Sequence, residues 1–151
     1  MILFSVGGYK FAIAAGAVKE IRGTEGLTAF KPREISKPGK LKHTLERDGT
    51  TYFVVDASAH FQLSPSSPAR VMVLRNSCTA LLVDSTDRMT DISALHALPR
   101  AFVGDERVWY RGLAVVGGEV VPVVNPAAFL SKSEQEILRS GLERVRGSAV
   151  V

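Results

Sequence analysis

The side chains of this chain that could do chemistry are three histidines and one cysteine. His43, His60 and His96 are far apart in the sequence, and Cys78 has no histidine or cysteine at the short spacing that a metal site needs. The chain also lacks the glycine-rich phosphate and dinucleotide motifs and the GxSxG nucleophile turn. The sequence therefore predicts no enzyme activity, no cofactor and no metal site.

A loose group of acidic residues is the remaining candidate for metal binding. It consists of Asp84, Asp87 and Asp91. A calcium loop needs a glycine at its sharp turn and a glutamate at its end, and this group has neither. Turn and capping roles explain the three aspartates more simply.

The composition is that of an ordinary soluble globular protein. Of 151 residues, 46% are hydrophobic and 23% are charged, which excludes a disordered chain. No apolar run is long enough to span a bilayer, so we expect no membrane insertion. The single Cys78 cannot form an internal disulfide, which agrees with a reducing compartment. These features predict a cytoplasmic protein.

The net positive charge is concentrated in one segment, residues 31–47. This segment holds six cations and two acidic residues, and its excess of four equals the formal charge of the whole chain. Pro32, Pro38 and Gly39 favour an exposed loop. The candidate electrostatic contacts in this loop are Lys31, Arg33, Lys37, Lys40 and Lys42. The loop could bind acidic protein or phosphate, or it could be a solvated segment that keeps the protein soluble.

Nucleic acid is the alternative partner for this basic loop. A β-barrel that binds single strands stacks bases on aromatic side chains. Phe30 is the only aromatic residue at the loop. The sequence therefore does not favour nucleic acid as the partner.

One strand-turn-strand pattern occurs twice, from Asp48 and again from Gly117. In both copies a hairpin turn leads into a β-branched run, and seven residues after the second turn glycine stands Asp56 or Asn125. That residue is placed to cap a short helix. The repeat predicts two similar β-modules, although two unrelated hairpins would look the same.

Other segments organise the chain around these hairpins. Residues 2–6 and 9–14 are expected to be strands around a Gly-Gly turn, and residues 14–23 a short helical or irregular stretch. The Ser-Pro-rich stretch at 64–68 is the best internal boundary. A capping box, formed by Ser131 with Glu134 or by Ser133 with Glu136, predicts a C-terminal helix over about residues 132–146. Its face is formed by Leu138, Leu142 and Val145.

Five segments in order and spacing resemble the CheW-like domain, the coupling protein of bacterial chemotaxis arrays. They are Phe-Ser-Val-Gly-Gly-Tyr-Lys-Phe-Ala-Ile from residue 4, Val-Lys-Glu-Ile-Arg-Gly from 18, Val-Met-Val-Leu from 71 with Leu-Val-Asp from 82, Tyr-Arg-Gly-Leu from 110, and Val-Pro-Val-Val-Asn from 121. The resemblance covers about residues 3–131. It implies a mostly β fold of two packed five-stranded β-barrel lobes, with short helices and a C-terminal helix.

The resemblance also implies a lobe assignment and a scaffold role. Lobe one is expected at about 9–66, lobe two at about 1–8 plus 67–130, and the whole chain forms a single domain. The protein is expected to join the signalling domain of a methyl-accepting chemoreceptor to a CheA-type histidine kinase or to other CheW-like proteins. It would do so in cytoplasmic arrays and without catalysis.

The receptor-binding residues implied by the resemblance are Val18, Glu20, Ile21 and Arg22. In the family, the matching segment lines a groove between the lobes that takes the helical tip of the receptor. Val18 and Ile21 are apolar and lie three residues apart beside polar residues, which suits a helix-in-groove contact. The alternative is that Val18 and Ile21 are core residues.

The first hairpin departs from the family pattern at its turn. The family usually has Asn-Leu-Arg-Gly there, in a region used for array contacts, and this chain has Glu46, Arg47, Asp48 and Gly49. Asp48 replaces a donor to a partner carboxylate by an acceptor that would repel it. We therefore expect the kinase interface of Arg47, Asp48 and Gly49 to be degenerate, whereas the alternative is a full receptor-kinase coupling protein.

Overall fold

The computed structural model describes residues 1–29, 40–64, 67–92, 94–102, 104 and 106–149. The strands within these residues are β1 (Ile2–Val6), β2 (Tyr9–Ile13), β3 (Val18–Arg22), β4 (Leu27–Ala29), β5 (Leu41–Arg47), β6 (Thr50–Asp56), β7 (Arg70–Leu74), β8 (Thr79–Val83), β9 (Ser85–Met89), β10 (Tyr110–Val116) and β11 (Glu119–Val124). The helices are α1 (Ala57–His60), α2 (Glu106–Trp109), α3 (Lys132–Ala149) and two 3-10 turns (Ala15–Ala17 and Pro126–Ala128).

The described strands form two sheets with the same internal arrangement. The first sheet has the order β10-β11-β2-β1-β9, and the second has the order β4-β5-β6-β8-β7-β3 when written in the matching direction. In each sheet two hairpins are joined by a parallel pair between their second strands. These pairs are β11 with β2 in the first sheet and β6 with β8 in the second. The expected duplication is therefore confirmed at the level of strand pairing. The second sheet gains a sixth strand from β4.

The hairpin turns have the backbone that their residues favour. Asp48 and Gly49 have φ of 52° and 77°, and Gly117 and Gly118 have φ of 57° and 82°. Glycine reaches this left-handed region without strain, and aspartate tolerates it better than most residues do. Two central residues with positive φ match the twist of the flanking strands, so both hairpins form where the sequence predicts them.

The residue at the end of each repeated hairpin caps the helix that follows. The Asp56 carboxylate accepts a hydrogen bond from the Ser58 amide at 3.1 Å. The Asn125 amide oxygen accepts one from the Ala127 amide, also at 3.1 Å. Each cap satisfies an amide that the first helical turn leaves without a partner. Both capping predictions are confirmed.

The strand pairing differs from the lobe boundaries expected from the sequence. β7 and β8 follow the boundary at 64–68, yet they pair with β3 and β6 of the second sheet. β2 was expected in lobe one, yet it pairs with β1 in the first sheet. The reason is that β6 and β7 both pair with β8, so the strands on either side of the expected boundary belong to one sheet.

The main core lies between the two sheets. Phe4, Phe11 and Ile13 come from the first sheet, and Phe53 and Met72 come from the second; all are buried in one cluster. Each sheet also covers a smaller apolar cluster on its other face. β8 lies near the middle of the second sheet, where both of its faces are covered. All five of its residues are therefore buried.

The C-terminal helix α3 is anchored at its first turns. Ser131 and Glu134 form the predicted capping box, with the Glu134 amide donating to the Ser131 hydroxyl at 3.1 Å and the Ser131 amide donating to the Glu134 carboxylate at 3.0 Å. Leu138 enters the main core. The Cys78 thiol donates to the Gln135 side-chain oxygen at 3.4 Å. The side chains of residues 142–149, including the predicted Leu142 and Val145, lie outside the described part.

Gly112 lies where residues 95–96 cross the edge of the first sheet at β10. His96 and Leu113 exchange two backbone hydrogen bonds of 2.8 Å. A Cβ built at Gly112 would lie 2.4 Å from the His96 carbonyl oxygen. Because that oxygen belongs to the backbone, the crossing segment could not move aside without breaking this pair.

We expect Gly112→Ala to lower the free energy of unfolding by roughly 2 to 3 kcal/mol. The control is Gly141→Ala in α3, where no heavy atom lies within 4 Å of the added Cβ. That control should raise the free energy of unfolding by about 0.5 to 1 kcal/mol, because alanine favours a helix. Urea denaturation of both variants provides the measurement. Equal stability of wild type and Gly112→Ala would contradict the close approach.

Candidate functional site

The candidate receptor-binding residues lie on a strand. Residues 14–23 were expected to be short helical or irregular, and only Ala15–Ala17 form a 3-10 turn. Val18–Arg22 form β3, which pairs with β7 at the edge of the second sheet. The strand forms because its residues pair with the buried strand β7, which overrides the weak local preference of the segment.

The two apolar residues of β3 have different environments. Val18 is 7% exposed and belongs to the main core, where its Cα pairs with that of Leu74. Ile21 is 40% exposed. The core interpretation therefore applies to Val18, while Ile21 is the apolar side chain of β3 that a partner could contact.

Glu20 and Arg47 connect the candidate receptor-binding strand to the first hairpin. The Arg47 Nε donates to the Glu20 carboxylate at 3.0 Å, and both side chains are partly exposed. The hydrogen bond and the charge of Glu20 raise the pKa of the Arg47 guanidinium above its ordinary value. These residues are 27 positions apart, so no local sequence pattern could reveal the pair.

Arg22 closes the turn that follows β3. Its Nη2 donates to the Glu25 carbonyl oxygen at 2.9 Å. Its Nε is buried and has no hydrogen-bond partner among the described residues. The side chain also lies beside Gly26, at 3.7 Å from the Cβ position of that glycine. Arg22 thus stabilises the connection from β3 to β4.

The first hairpin places its altered turn beside this strand. Asp48 and Gly49 form the turn between β5 and β6, and both are exposed. Next to the turn, the Thr51 hydroxyl donates to Glu46 across the two strands. The Arg47–Glu20 bond orients Arg47 toward β3. Asp48 lies at the tip of the hairpin because it is in the turn.

The basic segment is only partly described. Lys31, Arg33 and Lys37 lie outside the described residues. Lys40 was expected on an exposed loop, but it is 7% exposed, and its carbonyl oxygen accepts a hydrogen bond of 2.8 Å from the Asp56 amide. This backbone bond ties residue 40 to the end of β6. Lys42 is exposed on β5.

The histidines do not converge on a metal site in the described part of the chain. There, no group of three or more histidine, cysteine, aspartate or glutamate residues is placed to hold a metal ion. His60 is buried between aromatic rings, with its ring centroid 4.7 Å from that of Phe129 and 5.2 Å from that of Trp109. Across the described residues, none of the helices has the length and apolar character needed to cross a membrane.

Comparisons with known proteins agree with this architecture. The family model described as the CheW-like domain matches residues 1–139. The fold is similar to the crystal structure of the scaffolding protein TtCheW from Thermoanaerobacter tengcongensis, with a TM-score of 0.72 and 15% sequence identity. That match covers 89% of this chain and 94% of the other. None of the curated proteins matches the chain.

The structural match confirms the expected fold class, which is mostly β with two packed lobes. At 15% identity it is informative about the fold alone. The family model gives the stronger statement, because it spans nearly the whole chain. The chain belongs to the family of CheW-like domains.

Proposed function

We propose that this protein is a non-enzymatic adaptor of a cytoplasmic chemosensory array in bacteria. It binds the signalling tip of a methyl-accepting chemoreceptor through the exposed Ile21 of the edge strand β3. Membership of the CheW-like family supports the broader role, a coupling or scaffold protein of chemotaxis. The residue-level proposal rests on one observation, the exposure of Ile21 on an edge strand.

The surroundings of Ile21 fit a contact with an amphipathic helix. Ile21 is an exposed apolar side chain whose Cα pairs with that of Met72, a residue of the main core, so Ile21 lies at the border of the face between the two sheets. A helix docks by placing apolar side chains onto such a surface. Val18 lies on the same face of β3 and is buried in the main core.

The test is Ile21→Glu, compared with Ile137→Glu as a matched control. Ile137 lies on α3 and is 38% exposed, close to the 40% of Ile21, so the two variants make the same chemical change at equal exposure. Burying a charge in an apolar contact should weaken receptor binding by about 30-fold or more. We expect the control to bind as wild type does.

Binding of a receptor signalling fragment is measured by calorimetry, and thermal melting verifies that both variants are folded. Wild-type affinity of Ile21→Glu would contradict the proposed surface on β3. No binding of the fragment by the wild-type chain would contradict the receptor role itself.

The second part of the proposal is that kinase coupling is weakened at the first hairpin. Asp48 presents a carboxylate at the exposed turn, where it repels an acidic partner surface. One observation favours the alternative of a full receptor-kinase coupling protein: the turn backbone, with positive φ at Asp48 and Gly49, is an ordinary tight hairpin. Other CheW-like proteins are further candidate partners.

A further inference from the structure

The described half of the C-terminal helix α3 has little apolar contact with the rest of the protein. Its side chains are described from Lys132 to Gly141. Within that range only Leu138 is buried, at 4% exposed, and it belongs to the core cluster between the two sheets. Ile137, the neighbouring apolar residue, is 38% exposed. One apolar side chain thus anchors this half of the helix.

A second contact of α3 covers the single cysteine of the chain. Cys78 lies just before β8, is 3% exposed and belongs to the same core cluster as Leu138. Its thiol donates to the Gln135 side-chain oxygen at 3.4 Å. A thiol is a weak donor, so this bond contributes little to holding the helix in place. Gln135 and Leu138 are three residues apart and therefore lie on one face of α3.

The start of α3 is stabilised by bonds that do not depend on this packing. Ser131 and Glu134 exchange two hydrogen bonds within the first turn. Phe129 and Leu130, which precede that turn, are 0% and 1% exposed and lie in the main core. The chain is therefore fixed up to Leu130, and the first turn keeps its own bonds when the helix leaves the core. The Leu138 contact and the bond to the cysteine are then lost together.

We propose that α3 is a strap that opens as a unit, from Ser131 onward, while the two sheets remain folded. Segments with few buried apolar contacts open at a lower free energy than the sheets around a core do. In the closed state Leu138 fills its place in the core and Gln135 covers Cys78. In the open state Leu138 and Cys78 meet solvent. A partner that binds one of the two states shifts the balance between them, so the strap is a means of regulation.

The reaction of Cys78 with an aromatic disulfide tests whether this opening occurs. The thiolate attacks the reagent, a mixed disulfide forms and a coloured aromatic thiolate is released. Cys78 is the only cysteine of the chain, so the colour reports one site. At low urea concentrations we expect the rate to depend only weakly on urea, because opening of α3 exposes far less surface than global unfolding does. A dependence as steep as that of global unfolding would overturn the proposal, since Cys78 would then react only from unfolded chains.

The variant for this assay is Leu138→Ala, and Ile137→Ala is the matched control from the preceding position of α3. Removing the anchor should raise the reaction rate of Cys78 by about 30-fold or more, which is the factor expected for a leucine-to-alanine cavity. Ile137 is exposed, so its variant should stay within about threefold of wild type. Equal rates of the two variants would overturn the proposal, because Leu138 would then not hold the strap. Should Leu138→Ala fail to fold, the urea dependence of the wild-type reaction still decides.

The strap is independent of the adaptor role proposed above, since neither measurement uses a receptor fragment or a kinase domain. Thermal melting verifies that both variants are folded at the temperature of the assay. A strap that does not open would leave the adaptor role in place, and a wild-type chain that binds no receptor would leave the strap in place.

Discussion

Replacing Val18 by glutamate is expected to unfold the protein. Val18 is 7% exposed and packs in the core between the two sheets. A carboxylate at this position would be buried without a partner, and we expect a loss of at least about 4 kcal/mol in the free energy of unfolding. Because small domains are stable by only about 5 to 15 kcal/mol, this loss removes most of the folded population.

The measurement is denaturant unfolding followed by circular dichroism, with Ile21→Glu as the control from the same strand. Ile21 is exposed, so its variant should remain within about 1 kcal/mol of wild type. If Val18→Glu cannot be purified, Val18→Ala should still show a loss of about 2 kcal/mol from the cavity it leaves. A fully stable Val18→Glu protein would show that Val18 faces the groove rather than the core.

Wild-type protein is expected to bind the regulatory domain of its cognate kinase weakly or not at all. Rebuilding the family turn with Arg47→Leu and Asp48→Arg should increase the affinity by roughly 10- to 100-fold, because a charge-assisted hydrogen bond contributes about 1.5 to 3 kcal/mol. Two structural features reduce the gain. Arginine at position 48 must adopt the positive φ of the turn, and Arg47→Leu breaks the bond to Glu20.

Isothermal calorimetry with three proteins decides this prediction. Asp48→Asn serves as the control, since it removes the negative charge, keeps a residue that tolerates positive φ and adds no cationic donor. It should gain less affinity than the double variant does. Micromolar or tighter binding by the wild-type chain would show that Asp48 is tolerated and that the protein is a full receptor-kinase coupler.

Local chemistry explains what could be predicted from the sequence. The Asp48–Gly49 turn, the caps at Asp56 and Asn125 and the capping box before α3 each depend on residues within a few positions of one another. Turn geometry and capping bonds are properties of such short segments. The repeated hairpin pattern and the resemblance to CheW-like domains also predicted the mostly β fold class. The structural match confirms that class.

The candidate site was only partly predictable, because its composition depends on strands that are distant in the sequence. Val18 and Ile21 appear equivalent as two apolar residues three positions apart, and only packing against the second sheet shows that one is buried and the other exposed. The sequence places Lys40 in a basic loop, yet the structure buries it beside the end of β6. Both differences arise from contacts that no local pattern encodes.

By itself, the sequence determined the hairpins, the caps, the mostly β class and the family. The tertiary structure decided which hairpins share a sheet, because the parallel pairs β6–β8 and β11–β2 connect strands that lie in separate parts of the chain. It also brought Glu20 to Arg47. Antiparallel neighbours can be joined by a short turn whose residues are recognisable in the sequence, whereas parallel neighbours need a long crossover connection and have no such local signal.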